Sequence, residues 1–117
     1  MEYDLLEEQI DLNDPESCLN FKKEEGDLIV SITDWKARDL NFKFSDVYVC
    51  NYRADTEDRN ASEAGFFEVI DSSDVSSLKE KSIASEQEEL HHYVIITNED
   101  ECCEVIAGSY NLEIKSS

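Results

Sequence analysis

Apolar and polar positions alternate with a period of two in one stretch after another, the signature of half-buried strands. Leu40, Phe42 and Phe44 alternate with Asn41, Lys43 and Ser45 in the cleanest such run. Before it, Leu28, Val30 and Ile32 alternate with Ile29, Ser31 and Thr33, and earlier still Leu19 and Phe21 alternate with Asn20 and Lys22. Glu24-Glu25-Gly26 reads as the turn between those two strands, because glycine takes positive φ at little cost. Asp34 to Asp39 is a polar connection of hairpin length. The apolar face changes phase near Ser45-Asp46, so Val47 to Cys50 is expected to continue the strand after a bulge. Phe66 to Ile70, Leu90 to Thr97, Cys102 to Ala107 and Tyr110 to Ile114 supply further strands, with Asn98-Glu99-Asp100 as a hairpin turn.

Other segments break the alternation. Residues 1–16 carry seven acids and no base. Tyr3, Leu6 and Ile10 fall at i, i+3 and i+7, which predicts an acidic N-terminal arm or a short helix ended by Asn13-Asp14-Pro15, with an edge strand as the alternative. Ser72-Ser73-Asp74 can cap a short helix running through Val75 and Leu78 to about Lys81. Residues 53–64 are polar and read as an exposed loop, and residues 82–89 return to loop character. The sum is an α+β, β-rich fold in a single domain spanning 1–117. The expected architecture is a curved antiparallel meander sheet or partly closed barrel of about six or seven strands, with one or two short helices over a face or edge.

Charge narrows the function. With 10 Lys+Arg against 29 Asp+Glu, the formal net charge is −19. Such a chain repels nucleic-acid phosphates and anionic membrane surfaces alike. Solubility asks for only about 2–8 units on a small domain, so the surplus points to a basic protein partner, whose approach a negative field accelerates. No run approaches the roughly 18–20 apolar residues of a spanning helix, and Met1-Glu2-Tyr3-Asp4 lacks the marks of a signal peptide. The expected compartment is the cytoplasm, with Cys18, Cys50, Cys102 and Cys103 reduced.

Candidate chemistry is sparse. His91 and His92 are neighbours on a strand and point to opposite faces, so they cannot chelate one metal; only Glu89 has the spacing to join His91. Cys102 and Cys103 diverge in the same way and read as small buried hydrophobes, Cys103 in phase with Val105 and Ala107. Asn60-Ala61-Ser62 fits a glycosylation sequon, which has no meaning in a cytoplasmic chain. The carboxylates lack calcium-loop spacing, and there is no phosphate loop, GxGxxG or GxSxG. No catalytic residue, cofactor or metal is therefore expected, and an enzyme is the last reading. Trp35 is different: it lies in a polar connection between strands, where it either folds over the sheet edge or anchors an interface.

The stretch Asp27-Leu-Ile-Val-Ser-Ile-Thr-Asp-Trp35, followed by Leu40-Asn-Phe-Lys-Phe-Ser-Asp-Val47, resembles small acidic bacterial immunity proteins of contact-dependent inhibition and other polymorphic-toxin systems. His92-Tyr-Val-Ile-Ile-Thr97 leading into Cys103-Glu-Val-Ile-Ala107 carries the same likeness. The resemblance implies a cytoplasmic, non-enzymatic antitoxin that neutralises a toxin domain by binding it. Since nuclease toxins must be cationic to hold nucleic acid, a nuclease is the expected target. The alternatives are a nucleic-acid mimic that inhibits a DNA-binding defence protein and a housekeeping β-domain. Partner-binding residues are expected on loops, where side chains can reach out without disturbing the sheet. They are Asp55, Glu57 and Asp58; Asp71 and Asp74; Glu86, Glu88 and Glu89; and Glu99, Asp100 and Glu101. Trp35 or Tyr52 is the expected aromatic anchor.

Overall fold

The alternation over residues 27–45 folds as a hairpin with one face wholly inside. In the computed structural model, which describes residues 2–54, 64–81, 83, 89–98 and 101–116, Leu28, Val30 and Ile32 pair across the ladder with Phe44, Phe42 and Leu40. All six side chains are buried. The described strands are β1 (Glu2–Leu5), β2 (Asn20–Glu24), β3 (Asp27–Thr33), β4 (Arg38–Ser45), β5 (Val49–Ala54), β6 (Gly65–Ile70), β7 (His91–Ile96), β8 (Glu101–Ala107) and β9 (Ser109–Ser116). Among the described residues one helix, α1 (Ser73–Glu80), stands between β6 and β7.

The fold is β-rich and antiparallel, as expected; its described strands form two sheets, which are not closed into a barrel. One sheet has the order β1-β6-β7-β8-β5, the other β2-β3-β4-β9. Their inner faces share one core, in which Val30, Phe42 and Phe44 from one sheet meet Phe66, Tyr93, Ile95, Cys103 and Val105 from the other. The ring centroids of Phe42 and Phe66 lie 4.8 Å apart, an efficient contact because aromatic rings bury large areas with favourable offset geometry. Two strands already carrying strict alternation thus solve the same problem as a barrel, each sheet hiding the apolar face of the other.

The phase change near Ser45-Asp46 is a corner between sheets, where a bulge within one sheet was expected. Asp46 takes φ 57, and the chain leaves β4 in one sheet to enter β5 in the other. Its ladder partner turns at the same place. Gly108 lies between β8 and β9, donates its N–H to Ser45 O at 3.0 Å, and would bring an added Cβ to 3.2 Å from Asp46 Cβ. Strands that switch sheets by a bend are a usual way to make such corners.

The N-terminal segment is neither a helix nor a loose arm. β1 pairs antiparallel with β6, Tyr3 opposite Val69 and Leu5 opposite Phe67. Ile10 and Leu12 beyond it enter the core. Two hydrophobic anchors therefore hold a segment whose composition suggested solvent. Helix α1 follows the expected capping: Ser72 Oγ accepts the Val75 N–H at 3.3 Å. Val75 and Leu78 pack with Leu90 and Ile106, covering part of the outer face of the five-stranded sheet.

Candidate functional site

The acidic segment is locked by hydrogen bonds at several points. Glu16 N–H donates to Thr33 O at 2.9 Å, and Thr33 N–H donates to Ser17 Oγ at 2.8 Å. Asp14 N–H donates to Asn98 Oδ1 at 2.7 Å while the Asn98 amide donates back to Asp14 Oδ1 at 3.1 Å. Tyr110 donates its hydroxyl proton to Glu7 at 2.6 Å; burial, with that bond second, raises the phenol above its ordinary range. Asp4, Glu8, Asp14 and Glu16 remain exposed along this pinned strip.

Trp35 stands beside the strip on a rigid turn. The β3–β4 connection closes with Asp34 N–H to Arg38 O and Ala37 N–H to Asp34 O, both at 3.0 Å, and Ala37 adopts φ 60. Asp34 is fully buried. Its carboxylate accepts the N–H groups of Lys36 and Arg38 at 3.0 and 2.8 Å, and the Arg38 guanidinium at 2.9 Å through both Nε and Nη2. A buried carboxylate is tolerated when every lone pair is used in this way. The turn so fixed holds Trp35 at 50 % exposure. The indole N–H donates to Asp11 Oδ2 at 3.2 Å, and Lys36 Nζ lies 5.1 Å from the ring centroid. Asp11 is held below the ordinary carboxylate range, first by the Asn13 backbone N–H and then by the Asn13 side chain, with Trp35 adding to both.

The other expected contact residues that are described do not gather at one place. Asp71 and Asp74 are exposed around the start of α1, where Asp74 also complements the helix dipole. Glu89 is exposed and meets His91 Nε2 at 3.3 Å. Tyr52, 44 % exposed on β5, lies 5.3 Å from Phe21 on β2, ring centroid to ring centroid. Between these strands runs a groove of about 780 Å³, lined in part by Phe21, Leu28, Tyr48, Cys50 and Tyr52. Asp55, Glu57, Asp58, Glu86, Glu88, Glu99 and Asp100 lie outside the described residues, as does the Asn60 sequon.

Glu101 is the one clear correction among them. Expected at an exposed hairpin tip, it is only 3 % exposed. Its carboxylate accepts the Leu19 N–H at 3.1 and 3.3 Å through its two oxygens and the Tyr52 hydroxyl at 2.6 Å. That short bond, ahead of burial, pushes the Tyr52 phenol up to about 12. Glu101 faces inward because it shares the phase of Cys103, Val105 and Ala107 on β8, and it ties the two sheets at their rim.

Sequence reasoning also missed a polar chain on the outer face of the five-stranded sheet. His92, 3 % exposed, has Nδ1 2.8 Å from Ser72 Oγ and Nε2 3.0 Å from Glu104 Oε1. Glu104 Oε2 in turn accepts from Arg53 Nη2 at 3.1 Å. The His92 bond, ahead of the charges of His92 and Arg53, holds the Glu104 carboxyl below its ordinary range. The order serine–histidine–carboxylate matches that of a nucleophile, its base and an orienting acid. Here, however, the Ser72 oxygen accepts the helix N-cap bond, and the chain fastens α1 to the sheet. His91, on the opposite face as expected, pairs through Nδ1 with Glu68 at 2.7 Å. No group of three or more His, Cys, Asp or Glu among the described residues is placed to hold a metal ion, and no described helix is long and apolar enough to cross a membrane.

Comparison with family models, curated proteins and solved structures returns no match.

Proposed function

We propose that the protein is a non-enzymatic inhibitor of the immunity type, which neutralises a basic toxin domain, a nuclease by charge complementarity, through direct binding. Trp35 carries this reading. It is a half-exposed indole on a turn fixed by a buried carboxylate, set against a strip of acids that bears no base. Tryptophans in such positions supply much of the energy of protein interfaces, and surrounding charges set the encounter rate. Rigid presentation of both lowers the ordering cost of association.

The test is association kinetics with basic nuclease toxin domains of polymorphic-toxin systems, taken as a panel. Trp35→Ala is expected to weaken binding about 30-fold, the equivalent of about 2 kcal/mol, chiefly through faster dissociation. Reversing Asp4, Glu8, Asp14 and Glu16 to Lys is expected to slow association, as is raising salt to about 0.5 M, where the Debye length falls to about 4–5 Å. An on-rate indifferent to salt together with an unchanged Trp35→Ala complex would overturn the reading.

A further inference from the structure

The register of β5 against β8 sets Cys50 opposite Val105 and Tyr52 opposite Cys103. Residues two apart on a strand share a face, so Cys50 and Cys103 are diagonal neighbours on the inward side. After burial, Cys50 is the neighbour that most perturbs the Cys103 thiol. Cys102 faces the other way and packs with Val69, Val94 and Ile96. The two thiols also differ in access. Cys50 is exposed and lines the groove between β2 and β5, whereas Cys103 is fully buried.

We propose that Cys50 and Cys103 are an oxidant-responsive pair: a peroxide oxidises Cys50, and Cys103 then closes a disulfide that fastens β5 to β8. In the first step the Cys50 sulfur attacks hydrogen peroxide, the O–O bond breaks, and Cys50 sulfenic acid and water form. In the second the Cys103 sulfur attacks the sulfenic sulfur, the S–O bond breaks, and the displaced hydroxyl leaves as water with the Cys103 proton. Two thiols lose two electrons in all, and one peroxide becomes two waters. The division of labour follows from access, since only Cys50 meets solvent. Burial, before the influence of Cys50, raises the Cys103 thiol and shields it from direct attack by peroxide, which leaves the Cys50 sulfenic acid as its reaction partner. Diagonal neighbours stand about 7–8 Å apart against about 5.5–6 Å for ordinary disulfide partners, so closure shifts the edge strand β5 by about 1–2 Å, chiefly along β8. It also removes the Cys50 thiol from the groove. The pair stands independently of the binding function proposed above.

The test is titration of the purified full chain with hydrogen peroxide, followed by alkylation, intact mass and peptide mapping. Alkylatable thiols are expected to fall from four to two, with a mass loss of about 2 Da and a Cys50–Cys103 linked peptide that a thiol reductant releases. Cys18→Ser and Cys102→Ser are expected to keep the link. Cys50→Ser is expected to leave the remaining thiols unlinked, and Cys103→Val, which avoids a polar group in the core, to stop at an oxygenated Cys50. Near-ultraviolet circular dichroism checks that each variant is folded. A link through Cys18, a dimer joined through Cys50, or stepwise oxygenation of Cys50 with Cys103 still free in the parent protein would each overturn the proposal.

Discussion

Replacing Glu101 by alanine separates two roles that a carboxylate on this protein can have. On a solvated hairpin tip the change would be close to neutral, because exposed substitutions seldom exceed about 0.5 kcal/mol. In the rim between the sheets it removes the acceptor of the Leu19 N–H and of the Tyr52 hydroxyl. A buried donor left without a partner costs about 1–3 kcal/mol, and a hydrogen bond to a charged group is worth about 1.5–3 kcal/mol. Tyr52 is 44 % exposed and can recover a water, so its loss is discounted. The sum is about 3 kcal/mol. Unfolding entropy scales with chain length to give about 4 °C per kcal/mol for a chain of this size, so Glu101→Ala is expected to melt about 12 °C below the parent. Glu101→Gln keeps one acceptor oxygen for Leu19 and is expected to lose about half as much. Glu101→Gln also frees the Tyr52 phenol to return from about 12 toward its ordinary 10.0, visible in an absorbance titration of the phenolate. Because the folded value is raised, the Tyr52 contribution to stability is complete below about pH 10 and lost as pH rises toward 12; the Gln variant is expected to lose less over that window. Melting of Glu101→Ala within about 2 °C of the parent would refute the structural role.

Phe42→Ala, at a site with no exposure, is expected to cost about 3–5 kcal/mol; calorimetry showing a shift below about 4 °C would deny the shared core. Glu25 and Gly26 form the β2–β3 turn with φ 48 and 87, the left-handed pair that Asn-Gly prefers. Glu25→Asn is therefore expected to raise the melting temperature by about 2–4 °C, or about 0.5–1 kcal/mol, relieving part of the left-handed cost of an ordinary side chain; an unchanged or lower value would contradict the turn geometry. Glu104 has its folded carboxyl lowered from 4.5, first by the His92 bond, so its contribution is full above that value and lost as pH falls through the lowered one. Melting followed from about pH 6 to about pH 3 is expected to show a shallower acid decline in Glu104→Gln than in the parent.

Most strands were legible because a half-buried strand must alternate, and the alternation of Leu40, Phe42 and Phe44 survives any topology. The partition into two sheets was not, since β1–β6 and β4–β9 pair residues far apart in sequence and depend on a corner that Asp46 and Gly108 make together. The first strand was hidden because Tyr3, Leu6 and Ile10 also fit helical spacing. The buried acids were hidden by their own charge. Carrying the phase of Val30 and Ile32 two residues further reaches Asp34, and carrying that of Val105 and Cys103 two residues back reaches Glu101. Both lie inside. Period two was the better guide at these positions, and the prior that carboxylates face water overrode it. Trp35 stood out in the sequence as a candidate anchor, but its setting beside Asp11 joins residues 24 positions apart, which no local pattern displays.

The acids of this chain therefore fall into two sets, the buried ones that fix the strip and the exposed ones of the proposed recognition, and the first supports the second. A field of −19 pushes the folded state apart, so a loose acidic strip would be expected to swing away from the rest of the molecule. Here the strip is held at both ends. Glu101 binds Leu19 just past it, Asn98 and Thr33 bind Asp14 and Glu16 within it, and Asp34 fixes the turn from which Trp35 reaches Asp11. A surface ordered before binding gives up less entropy when a partner arrives. The consequence is that the buried carboxylates contribute to the proposed recognition without touching the partner. Loosening the rim by Glu101→Ala leaves every exposed acid and Trp35 in the chain, yet lets residues 14–19 move before binding. The ordering cost of those residues then falls on the complex, while the long-range field that governs the encounter hardly changes.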